Sequence, residues 1–205
     1  MTEALSTSGL NGLAALNILQ TDRLRLRRVS LDDAEFIVEL LNEPSWLRFI
    51  GDKGVRTIED AHAYILNGPV AMYARHGFGL YVTELVQGRV PIGLCGLIKR
   101  DTLDDVDIGF AFLRRHWSNG FAYESASAVM TYGRDLLGLK RIVAITSPDN
   151  HASVKLLERL GLRFEKTVTL PDDTGVVDLY ATRPDPARGT APVGRAAGRE
   201  DGTAG

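Results

Sequence analysis

The stretch "RRHWSNGFAYESAS", Arg114 to Ser127, follows directly on "DDVDIGFAFL", Asp104 to Leu113, and the two together decide how this chain reads. The first has the apolar, β-forming composition of a strand. The second turns through Ser-Asn-Gly into a run with Ala122, Ala126, Val129, Gly133 and Leu136 at spacings of three and four, which predicts a helix over 119–137 with one face on a sheet. Its entrance is bare. Gly120 removes a side chain where a ligand must come close, and Ala122 keeps the next turn small. The first amides of a helix lack intrahelical acceptors, and the dipole there favours negative charge, so this entrance suits a phosphate or pyrophosphate. The alternative is an ordinary tight turn at a glycine.

Working outward, "RLRLRR" (23–28) alternates as a half-exposed strand, and "SLDDAEFIVELLN" (30–42) follows as a helix with Ser30 at the N-cap. A second helix fits "TIEDAHAYIL" (57–66), where Thr57 and Asp60 form an acidic variant of the capping box. "FGLYVTEL" and "VPIGLCGLIKR" read as a hairpin turned through Gly88. After the helix over 119–137 come a strand "RIVAITS", a helix "NHASVKLLERL", and strands at "RFEKTVTL" and "GVVDLYAT". Early antiparallel strands and a late β-α-β-α-β run predict an α/β (α+β) domain with a mixed sheet. The domain spans 18–183; the small-residue segment 1–17 and the tail 184–205 have little to bury and are expected to be mobile.

At 205 residues the chain is long enough for one self-sufficient core. A net charge of −2 with 24% charged residues provides no polycation for nucleic acid or a membrane surface. No apolar run approaches the roughly 20 residues that span a bilayer, and the first residues lack a basic start, so a cytoplasmic protein is expected. The single cysteine, Cys95, excludes an internal disulfide and reads as a small core residue. His62, His76, His116 and His151 show no metal-ligand spacing and are assigned to the surface, and no metal is expected. Two familiar phosphate cradles fail: there is no Gly-Lys-Ser/Thr for a Walker loop, and the glycine turn lies too late for a dinucleotide fingerprint.

"WSNGFA", Trp117 to Ala122, resembles the coenzyme A loop Q/R-x-x-G-x-G/A of the GNAT N-acetyltransferase superfamily, with Trp at the first place as in its ribosomal-protein N-terminal acetyltransferase branch. "LQTDRLRLRRVSLDDAEFI", "DIGFAFLRRHWSNGFAYESA" and "NHASVKLLERLGLRFE" resemble that branch in order, from Gln20 to Thr182. Asp107 departs from it, standing where the branch often has Glu.

The resemblance implies acetyl-CoA bound between two splayed parallel strands and acetyl transfer to a primary amine of a peptide, a protein N-terminus or a small molecule. It implies backbone contacts from Phe112 and Leu113 to the pantetheine arm, a pyrophosphate held by the amides of Asn119, Gly120, Phe121 and Ala122, and Trp117 and Ser118 as further cofactor-binding residues of the loop. Arg114 and Arg115 either add charge there or are solvated. Asn150 caps its helix and holds the pantetheine, and Ser153, three residues on, donates toward the departing sulfur. Asp107 and Glu84 are the candidate bases, each with a solvated strand residue as the alternative. Trp46 and Phe49 line the acceptor pocket or belong to the core; Asp172 and Asp173 attract the amine or cap a turn. Two rival functions are a non-catalytic acyl-CoA sensor and an antibiotic- or polyamine-modifying acetyltransferase. The protein is expected to be a monomer or homodimer.

Overall fold

The computed structural model describes residues 17–170 and 175–183. The sequence readings for 1–16, for the tail 184–205, and for Asp172 and Asp173 lie outside the described residues.

Eight strands form one mixed sheet: β1 (Asn17–Gln20), β2 (Leu24–Arg28), β3 (Leu80–Leu85), β4 (Pro91–Ile98), β5 (Val106–Phe112), β6 (Ile142–Thr146), β7 (Leu162–Leu170) and β8 (Gly175–Thr182). Their order is β1-β2-β3-β4-β5-β6-β8-β7. Neighbours are antiparallel except β5 and β6. A parallel pair needs a long crossover, and helix α5 (Phe121–Asp135) supplies it. On one face Ala126, Val129 and Met130 of α5 pack with Ile92, Cys95, Leu97, Ile108 and Phe112. Cys95 is wholly buried there, and burial pushes its thiol pKa up to about 12.

The opposite face carries α1 (Ala34–Leu41), α2 (Pro44–Phe49) and α3 (Ile58–Ile65); α4 (Ala71–His76) follows, and its Tyr73 packs in the first cluster, stacked on Tyr81. On the opposite face Phe36, Ile37, Leu40, Trp46, Ala61 and Ile65 pack on Val82, Leu94 and Leu113. The Thr57 hydroxyl accepts from the Asp60 N–H at 3.1 Å and the Asp60 carboxylate from the Thr57 N–H at 3.0 Å, the capping box the sequence predicts. The helix predicted from Ser30 instead opens with a 3-10 turn over Leu31–Asp33, because the Asp33 carboxylate takes the Ser30 N–H and two Arg27 guanidinium nitrogens. Helices α2 and α4 escaped the sequence reading. Pro69 hid the latter: a proline normally ends a helix, but here a π-helical turn over Leu66–Val70 carries the chain past it.

The feature that positions the site is where pairing stops. β5 and β6 are paired only at Val106↔Ile142 and Asp107↔Val143, although β5 runs to Phe112 and β6 to Thr146. The antiparallel β4 register, closed by the Leu113 N–H to Ile92 carbonyl bond at 3.0 Å, turns the backbone of 107, 109, 111 and 113 toward β4. Ile108, Phe110 and Phe112 therefore turn theirs toward the gap. Helix α6 (His151–Arg159) follows β6 beside that gap.

Candidate active site

The gap opens into a cavity of about 760 Å³ that reaches both faces of the sheet. Gly120, Phe121, Ala122, Tyr123, Asn150 and Ser153 line the α5/α6 side, and Trp46, Phe49, Tyr64, Met72 and Leu80 the α1–α4 side. Asp107 and Phe110 to Phe112 lie on the strand between.

The loop after β5 is built to leave amides open. Trp117 donates its indole N–H to the Phe112 carbonyl at 2.7 Å, and Arg114 lies 4.4 Å over the indole. Ser118 (φ 62°) and Gly120 (φ 80°) then turn through left-handed conformations, and α5 begins at Phe121. Only glycine adopts the second without steric cost. The first helical bond runs from Glu124 N–H to the Gly120 carbonyl, so the amides of Phe121, Ala122 and Tyr123 have no acceptor among the described residues. Arg23 and Thr21 hold this entrance from the β1–β2 turn: Arg23 donates to the Asn119 carbonyl and to Glu124, and the Thr21 hydroxyl donates to Glu124 at 2.5 Å. Burial pushes the Glu124 pKa up, but the Thr21 and Arg23 hydrogen bonds outweigh it and hold it below the ordinary value.

Helix α6 brings its own entrance to the same cavity. Asn150 accepts from the Ser153 N–H at 3.2 Å as an N-cap. Ser153 is half-buried, and its hydroxyl makes no hydrogen bond among the described residues. One turn on, Lys155 and Arg159 also line the cavity, Arg159 with its guanidinium 3.9 Å over the Tyr123 ring. Asp107 is 1% exposed, and Arg100 Nε lies 3.2 Å from its carboxylate. Burial raises the Asp107 pKa above the ordinary carboxylate value, against the opposing pull of Arg100.

Residues 23–163 match the family model described as an acetyltransferase (GNAT) domain. The chain belongs to the GNAT acetyltransferase family. It is 31% identical over 175 residues to the uncharacterized N-acetyltransferase YoaA of Bacillus subtilis (strain 168), covering 81% of this chain and 98% of that one. It is 29% identical to the uncharacterized N-acetyltransferase p20 of Bacillus licheniformis, over 73% of this chain and 84% of the relative. In fold it resembles RimL, a ribosomal L7/L12 alpha-N-protein acetyltransferase, with a TM-score of 0.70, 18% identity, and 83% and 95% of the two chains covered.

GNAT acetyltransferases use acetyl-CoA, and the residues here fit it: open amides at an α-helix entrance for a pyrophosphate, unpaired strand backbone for an amide-bearing arm, and Lys155 and Arg159 for further phosphate charge. Several sequence expectations change in the folded acetyltransferase. The Leu113 N–H is taken by Ile92 and its carbonyl accepts from the His116 N–H, so the backbone facing the gap is that of Phe110 and Phe112. Arg115 is drawn to Glu39 on α1 and Arg114 to Trp117, so neither reaches the cavity wall. The Asn119 side chain bonds back to the His116 and Trp117 carbonyls. Glu84 lies away from the cavity, 2% exposed, with its oxygens held by Arg25 and Arg27.

Trp46 is both core and wall, 5% exposed, while Phe49 is half-buried in the wall. His116, assigned to the surface from sequence, lines the cavity; burial, then the Arg115 charge, holds its pKa below the ordinary value. Among the described residues no helix is long and apolar enough to cross a membrane, and no cluster of His, Cys, Asp or Glu suits a metal.

Proposed function

We propose that this acetyltransferase moves an acetyl group directly from acetyl-CoA to a primary α-amine, with the donor on the α5/α6 side of the sheet and the amine on the α1–α4 side. The observation that carries this reading is the continuous cavity through the β5/β6 gap, with Asp107 on the strand between the two sides and Ser153 at the α6 entrance. Acetyl-CoA supplies an acyl carbon on a thiol leaving group. The Phe110 backbone groups bind its amide-bearing arm, and the amides of Phe121 to Tyr123 take its pyrophosphate. An amide at Phe112 serves as the preorganised donor to the carbonyl oxygen.

As the amine nitrogen bonds to the acyl carbon, Asp107 takes the proton it sheds. The carbon–sulfur bond breaks, the Ser153 hydroxyl gives its proton to sulfur, and water relays the proton held by Asp107 back to Ser153, so both side chains end as they began. The products are an N-acetyl compound and a free thiol. An α-amine has a pKa of about 8, so a reactive neutral fraction exists near neutrality and no covalent enzyme intermediate is required. Thiol release from acetyl-CoA across a panel of amines tests the reading; acetyl-CoA binding without turnover on any amine would sink it.

Ser153→Ala is expected to lower turnover about tenfold to a hundredfold with little change in acetyl-CoA affinity, since a donor to sulfur matters as charge develops there. A serine that only packs or caps gives the opposite pattern, weaker acetyl-CoA binding with turnover from the bound state preserved. Steady-state kinetics with calorimetry separate the two.

Gly120→Glu is expected to weaken acetyl-CoA binding at least about tenfold, because the new residue is strained at φ 80° and places a carboxylate beside the open amides. Calorimetry reads the loss. Unchanged affinity would remove the α5 entrance from the cofactor site.

A further inference from the structure

On the α1–α4 side of the cavity, Asp107 does not stand alone. Arg100 reaches it through Nε, 3.2 Å from each carboxylate oxygen, and the guanidinium's two terminal nitrogens have no acceptor among the described residues. Both side chains line the cavity, and Arg100 keeps 33% of its side chain exposed. Tyr64, on α3, also lines it, and its hydroxyl makes no hydrogen bond among the described residues. Burial pushes the Tyr64 hydroxyl pKa up to about 12, with the Arg100 charge pulling the other way, so the group is a neutral donor in the working range. Lys53 adds a second cation to this end, and Trp46, Phe49, Ile50 and Met72 give it apolar walls.

A carboxylate and a guanidinium held side by side in an apolar cavity are costly to desolvate unless their remaining hydrogen-bonding groups are met. The ligand that meets both carries an amine and a carboxylate on one carbon. A peptide N-terminus offers the amine but only a neutral carbonyl to Arg100. A polyamine brings a second cation and no carboxylate, so the terminal nitrogens of Arg100 stay unmet even though Glu43 also lines the cavity.

We propose that the acceptor is a free α-amino acid with a large apolar side chain, its amine at Asp107, its carboxylate on the terminal nitrogens of Arg100 and the Tyr64 hydroxyl, and its side chain among Trp46, Phe49 and Met72. This rests on the reading of Asp107 as the base for the amine. The bond changes are those already given: N–C forms, C–S breaks, one amine proton passes to Asp107, sulfur gains the Ser153 proton, and the product is an N-acetyl amino acid.

The test is calorimetry on CoA-saturated protein with N-acetyl-L-phenylalanine and N-acetyl-L-phenylalaninamide. These differ in carboxylate against carboxamide and carry no titrating amine. The acid is expected to bind at least about tenfold more tightly, Arg100→Gln to bring the ratio to within about twofold, and Tyr64→Phe to reduce it severalfold. Equal binding, preference for the amide, no binding of either, or a tenfold preference surviving in Arg100→Gln would overturn the proposal. Should Arg100→Gln fold poorly with Asp107 left unpaired, the parent ratio and Tyr64→Phe decide. Thiol release is measured separately. Turnover of amines without acid preference defeats the amino-acid subsite and leaves acetyl transfer standing. Acid-selective binding without any turnover does the reverse.

Discussion

Asp107→Asn is expected to lower turnover at saturating acetyl-CoA and amine by about a hundredfold or more, with acetyl-CoA affinity held within about twofold. The side chain keeps its shape and loses its basicity. Because burial raises the Asp107 pKa, its conjugate acid lies closer to the pKa of the amine than an exposed carboxylate would, which favours the proton transfer. In the parent, turnover rises with pH as Asp107 loses its proton, with the inflection above the ordinary carboxylate range. The Asn variant loses that inflection.

The stability sign is opposite. A carboxyl whose folded pKa is raised contributes stability below its unfolded value, and that contribution is lost as pH rises through the folded pKa. At neutral pH the Asn variant therefore avoids a buried charge, and a lost activity cannot be assigned to unfolding if its melt matches the parent. Turnover within twofold of the parent, or an unchanged pH profile, would remove Asp107 as the base.

What the sequence made legible here is what neighbours along the chain decide. The strand, loop and helix from Asp104 to Asp135, the Thr57–Asp60 capping box and the Asn150 cap are all set within a few residues, and each stands in the structure. The partners of charged side chains are set elsewhere. Arg114 and Arg115 read equally as phosphate ligands or solvated residues, and their partners come from elsewhere: α1 supplies Glu39 to Arg115, and the loop folds Trp117 under Arg114. Arg100 gave no signal because only the β4–β5 register, with Ile98 opposite Asp107, brings the end of β4 to that carboxylate. Lys155 and Arg159 share a face of α6, but nothing local says that face meets the α5 entrance. Glu84 is the sharpest instance: its type and strand position suit a base, and two arginines from β2 decide otherwise.

Glu84→Ala is accordingly expected to destabilise the fold by about 3–5 kcal/mol, the effect of stripping one partner from a buried ion network. In the β2–β3 register Arg25 stands directly opposite Glu84, and Arg27 reaches it from two residues along. Arg25 Nε donates at 2.6 Å to one Glu84 oxygen and Arg27 Nε at 2.7 Å to the other. Arg27 then spans to Asp33 with Nη1 at 2.8 Å and Nη2 at 2.7 Å, tying β2 and β3 to the turn that starts α1. Exposures of 2%, 12% and 6% for the Glu84, Arg27 and Asp33 side chains, with Arg25 at 19%, leave little water to replace a lost carboxylate. The Asp33 hydrogen bond raises the Arg27 pKa most, burial opposes it, and Glu84 adds to the rise, so Arg27 stays charged and cannot relieve the deficit by losing its proton. Denaturant unfolding reads the loss as a lower midpoint with an unchanged slope. Turnover per folded molecule should be preserved, because Glu84 does not line the cavity. A variant as stable as the parent would show that the network adds nothing net to the fold, and a stable variant with lost turnover would return Glu84 to the chemistry.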